Sequence, residues 1–419
     1  MSEDQNRTIA RLQQVLAVTR RLAVEIELVP LLESIAEAAC DVIDCERATV
    51  FVLDHGSQEL YSKVATGVGE QEIRIPASKG IAGEVAQSGS ASNVPDAYSD
   101  PRFNPEVDRQ TGFKTRNMLT LPLEGLDGKR TGVLQLLNRR NGGFTEEDQD
   151  LAETLGSQAG VALQRHLLLQ EYAAKLRIER ELDIAREIQR KLLPTHHPIV
   201  SGYRIAGWNL PADKTGGDCF DFPRAKGDRL GVVLADATGH GITAAMCIAQ
   251  FRSLVKATTR LSEELAAIAT HVNELLTDDL PDDRFVTAFM GALSSDSHRI
   301  DYVSAGQGPL LHLHNNGDVD ILPPSGAPLG VLNGYTYSLA DSVVLKEGDI
   351  FCLMTDGFFE WADPDGEEFG VSRVVDLVVE NRHEDPDTII ESLYGAVREF
   401  SRGTSQADDL TIILIQRAP

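Results

Sequence analysis

Residues 231–246 read GVVLADATGHGITAAM, and this stretch limits the fold more than any other. A short apolar run ends on a carboxylate, Asp236, and a glycine-rich turn leads at once into small residues suited to a helix start. A carboxylate at the end of a buried strand is costly to desolvate unless it is paired, hydrogen-bonded or bound to a cation. The glycines let backbone come close to whatever that carboxylate holds. Read alone, the stretch is equally well a strand, a turn and a helix capped by Asp236.

Further stretches decide between these readings. Asp218 follows Gly216 and Gly217 and opens a strand-like segment, while Asp356 ends the apolar run 350–355 and precedes Gly357. Asp408 and Asp409 stand just before the last apolar run, 410–415. Close carboxylates repel unless a cation lies among them. An all-oxygen donor set without Cys or His selects a hard ion, Mg²⁺ or Mn²⁺, over zinc. Cys219, beside Asp218, is expected to face a core, because strand neighbours alternate sides.

The surrounding periodicity places these residues. Strand-like segments at 203–208, 216–222, 230–234, 285–290, 300–303, 349–354 and 410–415 alternate with helical stretches near 241–258, 262–278, 370–380 and 386–400. That order suggests a central β-sandwich with helices outside. In the other half, helical spacing over 5–44, with Pro30 at a helix start, precedes alternating segments at 48–53, 59–64, 72–75, 118–123 and 132–137. The helical period returns from Thr145, so an antiparallel sheet flanked by helices is expected.

Between the halves, residues 161–193 contain neither Pro nor Gly. Leu169, Ala173 and Leu176, then Ile178, Leu182, Ala185 and Leu192, recur at helical spacing with a slip of register between the sets. Such a seam reads as a coiled-coil connector that pairs with its twin in a parallel homodimer. Pro194 and the following His196-His197-Pro198 end it. The expected fold is α+β in two domains: an N-terminal helix (1–19), a sensor-like domain (20–165), the helical connector (166–194) and a sandwich domain (195–419).

Length and composition agree with this division. A chain of 419 residues exceeds one ordinary core, and 42% hydrophobic with 25% charged residues is globular. The formal charge of −25 disfavours a nucleic-acid backbone or an anionic membrane as partner. No apolar run approaches the roughly 20 residues of a membrane helix. The first residues, MSEDQNRTIA, are unlike a secretion signal, and the five cysteines form no CxxC pair. A cytoplasmic protein with reduced thiols is expected.

At this point the residues invite comparison with known families. GIAGEVAQSGSASNVPDAYSDPRFNPEVDRQTGFKTRNMLTLPL (80–123) and GVLQLLNRRNGGFTEEDQDLAETL (132–155) resemble a GAF domain, over roughly residues 20–165. The resemblance is strongest to the cyclic-nucleotide-binding branch, whose pattern is met here by Asn138, Arg139, Phe144 and Asp148, with Gln149 in place of Glu. It implies a sensor domain whose motif props the fold around a pocket. A cyclic nucleotide, another small molecule, or dimerisation without a ligand all stay open.

The strings GGDCFDF, ADATGHG, RFVTAFMGAL, YVSAGQGPLL, MTDGFFEW, DPDGEEFG and DDLT occur in that order. They resemble the metal-dependent PPM-type serine/threonine phosphatases of the SpoIIE/RsbU branch, over about residues 180–417. By that resemblance Asp218, Asp236, Asp356 and Asp408, with the backbone carbonyl of Ala237, hold two Mn²⁺ or Mg²⁺ ions, and Asp221 and Asp409 support them from behind. Two such cations about 3.5–4 Å apart can share a water that attacks a phosphoserine or phosphothreonine. Eukaryotic-type relatives carry a histidine where Thr238 stands, so His240 is better assigned to the helix start than to proton donation. Gln307 replaces a histidine common in its block. The substrate implied is a phosphorylated STAS-domain anti-anti-sigma protein. The alternative is a pseudophosphatase scaffold, against which stands the retention of all four metal-binding aspartates.

Overall fold

The computed structural model describes residues 17–22, 24–62, 73–223 and 229–418. Most of the expected N-terminal helix, and the ends of the expected strands at 59–64 and 72–75, lie outside these residues. The chain divides into two compact units, Met1–Arg177 and Ile178–Pro419. Among the described residues no helix is long and apolar enough to cross a membrane. None of the five cysteines, all among the described residues, forms a disulfide.

The first unit is built on strands β1 (Cys45–Asp54), β2 (Glu59–Ser62), β3 (Ile73–Pro76), β4 (Ser92–Val94), β5 (Met118–Glu124) and β6 (Arg130–Arg139). They form one antiparallel sheet in the order β3-β2-β1-β6-β5-β4. Helices α1 (Leu28–Ile43), α2 (Gly80–Ser88), α3 (Glu106–Thr111) and α4 (Glu146–Arg190) accompany it. Leu31, Leu32, Ile35 and Ala39 of α1 meet Val50, Leu121 and Leu134 of the sheet, and Leu155, Ala159 and Leu163 of α4 join the same core. Phe51 and Val133, whose side chains leave the opposite face, pack instead on Ala82, Val85 and Ala86 of α2.

Helix α4 runs 45 residues without a proline, and beyond Gly160 it contains no glycine either. Thr145 and Asp148 start it as a capping box: Thr145 N–H donates to Asp148, and Asp148 N–H donates to Thr145 Oγ1 at 3.2 Å. Leu168, Leu169, Tyr172, Ile178, Ile184 and Ile188 are each at least half exposed, so its apolar stripe includes residues beyond the expected seam.

The second unit has strands β7 (Tyr203–Leu210), β8 (Asp218–Asp221), β9 (Arg229–Ala237), β10 (Val286–Ser294), β11 (Arg299–Ala305), β12 (Leu310–Leu313), β13 (Val319–Leu322), β14 (Val343–Val344), β15 (Ile350–Met354) and β16 (Leu410–Arg417). Two five-stranded sheets result, β14-β11-β10-β9-β8 and β13-β12-β15-β16-β7. The helices are α5 (Gly241–Thr258), α6 (Leu265–Asp279), α7 (Gly357–Glu360), α8 (Val371–Glu380) and α9 (Pro386–Phe400).

Period-two alternation sorts the side chains into layers. Val232 and Leu234 of β9, Phe289 of β10, Phe351 and Leu353 of β15, and Ile413 and Ile415 of β16 share one core between the sheets. Val233 and Ala235 of β9 turn the other way, onto Phe251 of α5 and Val272 of α6. Cys352 and Leu414 likewise meet Val374 of α8 and Leu393 of α9. The unit is therefore a helix–sheet–sheet–helix sandwich. The hairpin β12–β13 is absent from the expected segments, because two four-residue strands joined at Gly317 show too little alternation to read from sequence.

Candidate active site

Alternation decides which side chains at the strand ends turn into the inter-sheet layer. Phe220 lies between the sheets, so Asp218, two residues earlier on β8, projects into the same layer, whereas Cys219 packs toward α5 as expected. Asp236 shares the face of Val232 and Leu234, and it is the register partner of Asp218. Thr355 continues the inward face of β15, and Thr411 is an inward residue of β16. Asp356 follows Thr355 at the start of α7, and Asp408 and Asp409 precede β16.

Hydrogen bonds fix this end of the sandwich. Asp218 is buried and accepts from Thr355 Oγ1 at 2.8 Å and from Thr411 Oγ1. Thr411 N–H donates to Thr355 Oγ1 at 3.0 Å, closing a small network across the strand ends. Asp409 is also buried, and it accepts from Ala212 N–H at 2.7 Å and from Asp218 N–H at 3.2 Å. A Cβ on Gly357 would lie 2.1 Å from the Asp409 carbonyl oxygen, so only glycine admits this approach.

The carboxylates burden one another. Burial, then Asp236 and Asp409, pushes Asp218 well above the usual carboxylate range. Burial, then Asp356 and Asp408, pushes Asp236 up to about 8. Asp356 is raised by burial and by Asp408, and Asp409 chiefly by burial. Glu360, one turn beyond Asp356, is raised by burial and then by Asp356, Glu368 and Asp408. Such a concentration of oxygen donors suits hard divalent cations, whose charge would relieve the repulsion.

Not every expected residue joins this group. Asp221 stands three residues from Asp218, so it leaves the opposite face of β8 and pairs with Arg252 of α5 at 2.7 Å. It does not support the cluster. His240 neither caps α5 with its side chain nor enters the layer; it is 77% exposed and pairs with Asp213 at 3.1 Å. Ala237, the candidate carbonyl donor, ends β9 with its side chain buried.

Several contributors escaped sequence reasoning. Thr355 and Thr411 are two. Gln307 is buried: its Oε1 accepts from Thr287 Oγ1 at 2.9 Å and its Nε2 donates to the Met354 carbonyl at 2.9 Å. Thr287 is the register partner of Asp236, and Met354 precedes Thr355 and Asp356, so Gln307 ties the two sheets together beside the site. From the last turns of α4, Gln189 grips Gly216 with both ends of its amide, accepting from Gly216 N–H at 3.0 Å and donating to its carbonyl. Lys214, in the same loop, reaches Asp183 at 2.7 Å.

In the first unit, Asn138, Arg139, Phe144 and Asp148 brace the fold. Asn138 is fully buried, accepts from Arg116 N–H at 2.6 Å and donates to the Lys114 carbonyl at 2.9 Å. Arg139 meets Asp148 at 3.0 Å and Asp44 at 3.1 Å, joining the end of β6 to the start of α4. Burial opposes ionisation of Asp148, but Arg139 and Thr145 outweigh it and hold its carboxyl below the usual range. Phe144 is buried, and its carbonyl accepts from Asn93. None of these four lines the nearby cavity of about 260 Å³, whose walls include Arg47, Thr49, Phe51, Phe113, Thr115 and Gln135. The Arg47 guanidinium lies 3.9 Å above the Phe113 ring.

Comparison with known proteins agrees with this division. Residues 226–418 match the family described as Stage II sporulation protein E (SpoIIE), and residues 27–163 match the GAF domain. A probable 3',5'-cyclic phosphodiesterase of Caenorhabditis elegans is 35% identical over 159 residues, covering 35% of this chain and 21% of that protein. A dual 3',5'-cyclic-AMP and -GMP phosphodiesterase 11A of Takifugu rubripes is 31% identical over 161 residues, covering 35% and 18% respectively. The chain thus spans about a fifth of the length of these curated relatives. Among solved structures, the SiaA-PP2C domain of Pseudomonas aeruginosa superposes with a TM-score of 0.52 at 23% identity, covering 58% of this chain and 98% of that one. The fold, the site at the end of the sandwich and both family matches lead to one assignment: the chain joins a GAF domain to a phosphatase domain of the SpoIIE PP2C type.

Proposed function

We propose that the chain is a divalent-metal-dependent protein serine/threonine phosphatase whose activity is set by its GAF domain. The observation that carries this reading is the convergence of Asp218, Asp236, Asp356 and Asp408 on one end of the inter-sheet layer, where burial and neighbouring carboxylates raise Asp218, Asp236 and Asp356 above the usual carboxylate range. These four, with the Ala237 carbonyl, are the residues that would hold two Mn²⁺ or Mg²⁺ ions. Bound there, the cations supply a water nucleophile at neutral pH and offset charge on the phosphoryl oxygens.

The chain's own part is preorganisation. Thr355 and Thr411 orient Asp218, Asp409 fixes the backbone of Ala212 and Asp218, and Gln307 holds the strand carrying Thr287 to the strand leading into Asp356. Control by the GAF domain runs through α4, whose Gln189 grips Gly216, two residues before Asp218. The exposed apolar stripe of α4 supports a homodimer formed along that helix. The cavity with Arg47 over Phe113 supports a planar, anionic small molecule as the GAF signal, and the cyclic-nucleotide enzymes among the relatives favour a cyclic nucleotide. By resemblance to the SpoIIE/RsbU branch, the substrate is a phosphorylated STAS-domain anti-anti-sigma protein.

The test is phosphate release from p-nitrophenyl phosphate and from a phosphoserine protein, in EDTA and with Mn²⁺ or Mg²⁺. Metal-dependent release that disappears in Asp236→Ala is expected. Release that ignores both EDTA and the substitution would overturn the assignment.

A further inference from the structure

The β12–β13 hairpin carries a donor cluster that phosphate hydrolysis leaves unused. His312 and His314 stand two residues apart on and just beyond β12, so both imidazoles leave the same face. Asp320 of β13 is the register partner of His312. One donor atom from each of the three lies within 4.8 Å of the others. His314 Nε2 is 2.9 Å from Asp320 Oδ2, and His312 Nδ1 is 4.0 Å from the same oxygen. Donors about 2.0–2.1 Å from a tetrahedral ion stand roughly 3.3 Å apart, so small side-chain rotations bring these three to ligand spacing.

The surroundings select the ligating nitrogen. His312 is buried, and its Nε2 lies 3.2 Å from Asp349 Oδ2. Asp349 is itself anchored by the N–H groups of Lys346 and Asn315 at 2.9 and 3.0 Å. Donation from Nε2 to this fixed carboxylate leaves Nδ1 with its lone pair toward Asp320, the carboxylate–imidazole arrangement that orients metal-binding histidines. Burial, with His314 alongside, also holds His312 below its ordinary value, so it is neutral at pH 7 although Asp349 pulls the other way.

We propose that His312, His314 and Asp320 form a second metal site, specific for Zn²⁺, that clips the edge strand β13 to β12. Two imidazoles and one carboxylate are a borderline donor set, unlike the all-oxygen cluster that suits Mg²⁺ or Mn²⁺. The two sites are separate. Asp349 immediately precedes β15 and Asp356 follows it, so they mark opposite ends of that strand, about 20 Å apart. Asp320 is exposed, which leaves the ion a path from solvent.

The test uses the full chain, stripped with a chelator and returned to excess Mg²⁺ so that the carboxylate cluster is occupied. Zn²⁺ is then titrated by calorimetry and Co²⁺ by its visible absorption. Wild type and Asp236→Asn should each take up one zinc ion that His314→Gln and Asp320→Asn bind at least about tenfold more weakly. Both hairpin variants should keep wild-type circular dichroism and Mn²⁺-dependent turnover, because neither residue is part of the phosphatase site. Equal zinc uptake by wild type and the hairpin variants, or none by wild type, would reduce the cluster to a set of His–Asp ion pairs.

Discussion

Replacing Asp236 by Asn should make the metal-free protein more stable. In the absence of cations the Asp236 carboxyl is pushed up to about 8, first by burial and then by Asp356 and Asp408. In an unfolded chain it titrates near about 3.9. A carboxyl raised by folding keeps its proton where the unfolded chain has lost it. Its stability contribution is therefore intact below about pH 4 and is lost progressively as pH rises toward about 8. At pH 7 the loss has a ceiling of about 4 kcal/mol, from roughly three pH units at about 1.4 kcal/mol each. Asp236 retains some solvent contact and shares its proton with acidic neighbours, so on the order of 2 kcal/mol is the expected cost. Asparagine cannot ionise and escapes it. Both tryptophans, Trp208 and Trp361, lie in the second unit, so urea melts followed by their fluorescence report on it alone. In EDTA at pH 8 the variant should unfold at higher urea than wild type, and at pH 4 the two should coincide. Saturating Mn²⁺ should reverse the order, because cations stabilise only the chain that holds them. A variant no more stable than wild type in EDTA at pH 8 would refute the reasoning.

Three further perturbations follow from named contacts. Gln307→Leu leaves Thr287 and the Met354 carbonyl without their partner, so it should cost about 1–3 kcal/mol and weaken Mn²⁺ activation, read from turnover against Mn²⁺ concentration. Arg139→Ala leaves Asp148 buried without its cation, and circular dichroism should show the first unit destabilised by about 3–5 kcal/mol. Ile184→Glu places a charge in the exposed stripe of α4, and light scattering should show the homodimer dissociating at concentrations where wild type remains paired.

The sequence and the structure differ in ways that follow from period and distance. Asp218, Asp236 and Asp356 were legible because each ends or opens an apolar run with a glycine within three residues, and a buried strand end leaves a carboxylate few other uses. The helices at 241–258 and 386–400 were legible from spacing alone, and the structure places α5 and α9 over those residues. Asp221 illustrates a signal that was present but unused: three residues from Asp218 on a strand means the opposite face, and the pairing with Arg252 is the result. Thr355 and Thr411 could not be found this way. They are 56 residues apart, and each resembles an ordinary strand threonine until the sandwich brings both to Asp218.

Gln307 shows why that limit is physical. Its amide needs a donor on one side and a carbonyl on the other, and these come from β10 and from the end of β15, which belong to different sheets. Nothing local to residue 307 encodes either partner. An amide can satisfy both at once because it carries an acceptor and a donor in fixed relation. An imidazole in the neutral state can also offer one of each, but its ring sets a different separation between them. Glutamine at this position therefore joins the two sheets beside Asp236 and Asp356 through partners that only the folded sandwich brings together.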